Sequence, residues 1–301
     1  MLNKDQIIEG FKSLQDDICA GLEALDGKGK FQQDLWERPG GGGGRTRVIQ
    51  GQLIEKGGVN FSAVHGAMPE KISSALGIQA GNFVATGVSI VLHPKSPWMP
   101  IIHMNVRYFE MDNGVWWFGG GIDLTPHYID RAAAQSFHQK LKSVCDQFDS
   151  SYYPKFKTWA DEYFFLKHRN ETRGVGGIFY DRLTGTPEDQ ARLFEYSLAV
   201  GRTFVPAYTD QAERFRDREY GERESKWQLY RRGRYVEFNL VWDKGTKFGL
   251  DTNGRTESIL MSMPPQANWV YQFEPEPGSL EEVTLRSLKK EVNWVDGLVT
   301  Q

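Results

Sequence analysis

The chain has 301 residues, 40% apolar and 13% aromatic, with 36 Lys and Arg against 39 Asp and Glu for a net charge of −3. A chain this long buries a sizeable core without covalent staples, and its mild acidity argues against a nucleic-acid partner, which would call for a basic stripe. Its two cysteines, Cys19 and Cys145, supply neither a disulfide framework nor a CxxC metal motif.

Residues Ile7, Ile8, Phe11, Leu14, Ile18, Leu22 and Leu25 recur at helical spacing and predict an N-terminal amphipathic helix. That pattern starts without an apolar signal core or transit-type segment, and no apolar run approaches the roughly 20 residues of a membrane span. A soluble, cytoplasmic protein is therefore expected. Residues 26–47 read as a loop carrying glycines 40–44, then Arg45 and Arg47. Such a run serves either as a slack tether or as backbone that wraps an anion closely.

Alternation then predicts strands at residues 83–93, 101–110 and 116–123, the last ending in Gly119, Gly120 and Gly121. Their short connections favour antiparallel pairing. Phe137, Leu141, Val144 and Phe148 mark a helix over 131–148, and residues 152–166 a second one. Thr186, Pro187, Glu188 and Asp189 open a third, running to about residue 203. Strands are expected again at 234–243 and 258–263, before an amphipathic C-terminal segment at 280–294. With no linker and no repeat, the chain reads as one α+β domain over residues 1–301, an antiparallel sheet covered by helices.

Polar residues fall where a half-buried sheet would want apolar ones. His103, Asn105 and Arg107 share one face of their strand, and Ser89 and His93 share one face of the strand before it. Consecutive strands usually pair, so both rows are expected to line one cavity as a wall of hydrogen-bonding groups. Asp123 reads either as a turn or cap residue before Pro126, or as a carboxylate meeting ligand N–H groups. Of the six histidines, four can converge if the helix at 131–148 and the segment at 157–181 cover that face. Imidazole clusters bind divalent metals, although no HxH or HExxH spacing is present. Residues 230–235 form a basic run, and Asn253-Gly254-Arg255 reads as a turn whose arginine suits a carboxylate. In the stretch 157–181, His168, Arg169, Glu171 and Arg173 run into Gly174, Gly176 and Gly177. Guanidinium groups beside bare backbone describe a place where an anionic ligand approaches closely.

That stretch, KTWADEYFFLKHRNETRGVGGIFYD, closely resembles the signature of the oxygen-dependent coproporphyrinogen III oxidases. Blocks at 40–47, 58–62, 87–94, 103–109, 116–126 and 230–264 extend the resemblance in order over nearly the whole chain. Departures are small: Ala160 stands where the family commonly has Cys, Tyr180 where Phe is usual, and Asn253 where Gly is frequent.

The resemblance implies a flat antiparallel sheet sandwiched between helices, and a homodimer formed through about residues 235–266. It implies oxidative decarboxylation of two propionates of coproporphyrinogen III to vinyl groups, giving protoporphyrinogen IX. Oxygen would be the co-substrate, with no flavin, haem or nicotinamide. Substrate contacts carried over are Ser89, Asn105, Val106, Arg107, Asn253, Gly254 and Arg255, and Arg107, Arg173 and Arg255 suit a substrate with four carboxylates. His103 matches a proton donor, and Asp123 a carboxylate that handles pyrrole N–H protons. His93, His103, His138 and His168 match positions described as divalent-metal ligands in bacterial members. The anaerobic iron–sulfur route is excluded, because it needs three clustered cysteines. A non-catalytic tetrapyrrole-binding protein and a histidine-based metallohydrolase are the other readings.

Overall fold

The computed structural model describes residues 2–68, 73–74, 77–251 and 254–296. Helix α1 (Lys4–Asp26) starts in a capping box, with the Asn3 side chain accepting from Asp5 N–H and Gln6 Oε1 accepting from Asn3 N–H. It stops at Gly27, whose φ of 81° is the left-handed conformation that glycine adopts without steric cost. The predicted stripe, Ile7, Phe11, Leu14, Ile18 and Leu22, is buried against the sheet.

The strands are β1 (Gln32–Glu37), β2 (Gly42–Ile49), β3 (Ile54–Ala67), β4 (Asn82–Pro94), β5 (Ile101–Met111) and β6 (Trp116–Thr125), followed later by β7 (Phe165–Leu166), β8 (Glu171–Thr172) and β9 (Gly176–Leu183). All but β7 and β8, which pair with each other, form one antiparallel seven-stranded sheet in the order β1-β2-β3-β4-β5-β6-β9. The expected loop at 26–47 is thus a hairpin. Its glycines are required by close approach: a Cβ on Gly43 would lie 2.2 Å from the Trp36 carbonyl oxygen, and one on Gly44 2.2 Å from the Trp36 ring. The anion that Arg45 and Arg47 face is within the chain: both pair with the carboxylate of Asp16 of α1, at 2.9 and 2.7 Å.

One face of the sheet is apolar. Ile90, Met104, Val106, Ile122 and Ile178 are fully buried there. Over it pack α1, α2 (Arg131–Asp146), α4 (Asp189–Arg202) and α5 (Phe204–Phe215). Helix α3 (Tyr152–Tyr163) lies along β9 at the sheet's edge. Val106 belongs to this buried face, so its side chain is turned away from the row expected to meet a ligand. Helix α2 likewise covers the apolar face and places His138 in the core, on the far side of the sheet from His103.

The opposite face carries the polar row. Covering it are α6 (Glu222–Glu237), a π-helical turn at Phe238–Trp242, α7 (Lys244–Asp251) and α8 (Thr256–Leu260). Residues 234–242 and 258–260 of the strands expected at 234–243 and 258–263 are therefore helical. The aromatic and branched residues that mimic a strand there also stand at helical spacing: Trp227, Tyr230, Arg231, Arg234, Tyr235 and Phe238 are buried along one side. Glu222 and Glu224 in the first turn complement the dipole of α6. Helix α9 (Leu280–Ser287), capped by Ser279, is shorter than the segment expected at 280–294. Among the described residues no helix is long and apolar enough to cross a membrane.

Candidate active site

Cross-strand register assembles the site. His103 on β5 stands directly opposite Asp123 on β6, Asn105 opposite Gly121, and Arg107 opposite Gly119; Ser89 on β4 faces Asn105 from the other side. Since side chains alternate along a strand, all of these share the face away from the apolar core. Asp123 thus lies within β6, not in a turn beyond it. Between the polar groups the floor is glycine, so ligand atoms can approach the sheet itself.

His103 Nδ1 is 2.8 Å from Asp123 Oδ1. Behind them Arg173 Nη2 donates to Asp123 Oδ1 at 2.8 Å and Oδ2 at 2.7 Å, and its Nη1 donates to Asn239 Oδ1 at 2.9 Å. Burial alone would push the Asp123 carboxyl upward, but the Arg173 guanidinium and the His103 bond outweigh it and hold the pKa below its ordinary value. An ionised Asp123 accepts from Nδ1–H, which leaves the lone pair of His103 on Nε2. The side chains of Asp123 and Arg173 are each only 2% exposed, whereas that of His103 is 23% exposed.

Arg173 was expected as a substrate clamp; it is instead the locked counter-ion of Asp123. Its guanidinium lies 4.3 Å from the Phe164 ring centre, 4.9 Å from Tyr235 and 4.7 Å from Phe238. Three rings and a carboxylate leave no room for a propionate. Arg107 is the accessible guanidinium on this face: Nη1 donates to Asn105 Oδ1 and Nη2 to Asp181 Oδ1, both at 2.8 Å. It lies flat over Gly119, where a Cβ would come within 2.8 Å of Arg107 Nε.

Farther along the same face, Arg255 pairs with Asp34 of β1 and bonds Ser258 Oγ at 3.4 Å. Gly254 immediately precedes it, and Asn253 lies outside the described residues. Thr46 Oγ1 links Asn60, Ser258 and the Trp36 indole in one network.

Sequence reasoning passed over Asp181, Asn239 and Asp243. Asp181 was visible as the end of an apolar run, where alternation from Phe179 places it on the site face. Asp243 accepts from Tyr163 O–H at 2.7 Å and from both Thr246 groups. Asn239 and Asp243 sit on the π-turn and the following cap, geometry without a sequence signature.

The four histidines expected to share a metal are not brought together, and among the described residues no group of three or more His, Cys, Asp or Glu is placed to hold one. Both ring nitrogens of His138 are engaged, Nδ1 with Tyr153 O–H and Nε2 with the Val175 carbonyl, each at 2.9 Å. Those of His168 bond Glu237 and the Trp242 indole. His93 Nε2 donates to the Ser262 carbonyl. Burial of His93 and His138 pushes each pKa down to about 3, so both are neutral structural groups. The donor set does not fit a metal.

The family model for coproporphyrinogen III oxidase matches residues 6–294. The chain belongs to that family. Two curated proteins called oxygen-dependent coproporphyrinogen-III oxidase, from Prochlorococcus marinus strains NATL2A and NATL1A, are each 50% identical over 307 aligned positions, covering 93% of this chain and 88% of theirs. Membership accounts for the HRNETR segment at 168–173 in this coproporphyrinogen III oxidase fold. His168 and Arg169 fasten it to Glu237 of α6, with Arg169 Nη2 2.6 Å from Oε1. Arg234 and the Trp269 indole bond the same carboxylate. Arg173 is thereby delivered to Asp123.

Proposed function

We propose that the chain converts two propionate arms of coproporphyrinogen III to vinyl groups, giving protoporphyrinogen IX, with O₂ as oxidant. The observation that carries this at the level of the site is the β4–β6 face itself. It sets an accessible imidazole, His103, and an accessible guanidinium, Arg107, on one glycine floor, two rungs apart. Arg107 receives the propionate carboxylate by charge-assisted hydrogen bonds. His103 Nε2, held by Asp123 and Arg173, faces the pyrrole and takes its N–H proton; Asp123 acts through His103 and does not touch substrate. A deprotonated pyrrole is electron-rich enough to reduce O₂ directly. In each turn one C–H bond and the bond to the carboxylate carbon break, CO₂ leaves, and O₂ takes up two electrons and two protons to become H₂O₂. Ser89, Asn105 and Arg255 line the remainder of the face. The test is kinetic: Arg107→Ala raises KM, and His103→Ala lowers kcat with KM little changed. Equal, modest effects of both variants would refute the division of roles.

The active unit is a homodimer. Leu240, Val241, Phe248 and Leu250, on the segment that follows α6, are 40–50% exposed, an apolar surface that a second copy would cover. Sedimentation should give a dimer that Leu240→Glu converts to monomer. The enzyme is placed in the cytoplasm, in keeping with the described residues, among which no helix is long and apolar enough to cross a membrane; fractionation of cells would check this.

A further inference from the structure

On the β5–β6 part of the site face, two Arg–Asp pairs have opposite character. Arg173 and Asp123 are both 2% exposed and bonded through both carboxylate oxygens; breaking such a pair strands a buried charge. Arg107 and Asp181 meet through one 2.8 Å bond with side chains 36% and 37% exposed. Water competes for a pair like that, and exposed pairs contribute little to stability. The first is fixed architecture, and the second is exchangeable.

What Asp181 presents to Arg107 is also what a propionate would present. Asn105 Oδ1 holds Nη1, and Gly119 lets the guanidinium lie on the sheet, so Arg107 keeps its place whichever carboxylate occupies Nη2. Taking the proposed reaction as given, we infer that Asp181 is the placeholder for the substrate's propionate: it occupies Arg107 in the free enzyme, yields to the incoming arm, and returns once the arm has become a neutral vinyl group. The vinyl product has no charge with which to hold Arg107, so the return of Asp181 favours its release and readies the arginine for the second propionate. Asp181 is a positioning and specificity residue, since only an anionic arm displaces it.

The test measures binding of coproporphyrin III, the fluorescent aromatic form bearing the same four propionates, by tryptophan quenching, alongside turnover of coproporphyrinogen III. Asp181→Asn removes the competitor and tightens binding about two- to fivefold, the equivalent of an exposed ion pair. In an Arg107→Ala background the same change alters binding by less than about 1.5-fold, because no arginine remains to be contested. Asp181→Ser is the second variant, and both retain the wild-type melting temperature to within a few degrees. Unchanged or weaker binding in Asp181→Asn, tightening that survives Arg107→Ala, or failure of both variants to fold would overturn the inference. Failure of the wild type to turn over coproporphyrinogen would refute the assigned reaction instead, while the binding comparison would still read the role of Asp181.

Discussion

His103 and Asp123 are direct cross-strand partners, joined by a 2.8 Å bond from Nδ1 to Oδ1 on the polar face of the sheet. The imidazole is half-buried with its far nitrogen available, and the carboxylate is wholly buried against Arg173. In the proposed reaction this relationship orders the roles: the histidine meets the substrate, the aspartate selects its tautomer, and the arginine keeps the aspartate ionised.

Removing His103 should therefore cost more than removing its support. His103→Ala is expected to lower kcat by about 10²–10⁴-fold, the usual weight of a general acid–base group. Asp123→Asn should also lower kcat at least tenfold. In addition it should destabilise the fold by roughly 3 kcal/mol or more, because Arg173 loses its buried counter-ion. Steady-state kinetics and urea denaturation check both. Near-normal turnover in Asp123→Asn would remove the aspartate from the mechanism.

Gly119→Ala isolates the arginine. A Cβ there would approach Arg107 Nε to 2.8 Å and Asp181 Oδ1 to 2.7 Å. The guanidinium would have to lift from the sheet, so KM should rise several-fold, with circular dichroism unchanged. An unaltered KM would show that the position of Arg107 over the glycine is irrelevant to binding.

Acid should destabilise the protein well before its carboxylates titrate. Burial holds His93 and His138 near pKa 3 and lowers His127 far below its ordinary value. An unfolded chain protonates these groups near pH 6.5. Between pH 6.5 and 3 the unfolded state binds more protons, so stability is full above pH 6.5 and falls as pH drops. His93 and His138 together should give a slope of up to about 3 kcal/mol per pH unit. Asp26 adds a lower window. Four backbone N–H groups, those of Gly29, Gln52, Leu53 and Ile54, bond it at 2.7–2.9 Å and outweigh burial, holding its pKa down to about 2. Its contribution is present above pH 4 and disappears as pH falls through 2. Urea midpoints at pH 7, 6 and 5, compared with His138→Gln, would read the histidine slope; a flat profile would contradict it.

Chelation should leave the enzyme intact. His138 and His168 already spend both ring nitrogens on protein partners, and His93 spends Nε2 on the Ser262 carbonyl. Prolonged dialysis against a chelator, followed by elemental analysis, should change neither melting temperature nor turnover. Activity restored only by an added divalent cation would reverse that assignment.

The central strands were legible because alternation over β4–β6 is strong, and the polar row His103, Asn105, Arg107 departs from it in one place. Helix α1 was equally plain from its spacing. The β1–β2 hairpin was missed because its glycines, read as a slack tether or as backbone wrapping an anion, are demanded by close contact with Trp36. Helix α6 was missed because aromatic residues at i, i+3 and i+4 also satisfy a strand's composition. The site's depth was not legible at all: nothing in the order of residues distinguishes Arg173, sealed among Phe164, Tyr235 and Phe238, from Arg107, open above Gly119.

The most direct measurement is product analysis after incubating the purified protein with freshly reduced coproporphyrinogen III, in air and under strict anaerobiosis. The account predicts the divinyl product in air, with H₂O₂ and CO₂ released in equal amounts, and unreacted substrate without oxygen. Divinyl product formed without O₂, or none formed in air, would contradict it.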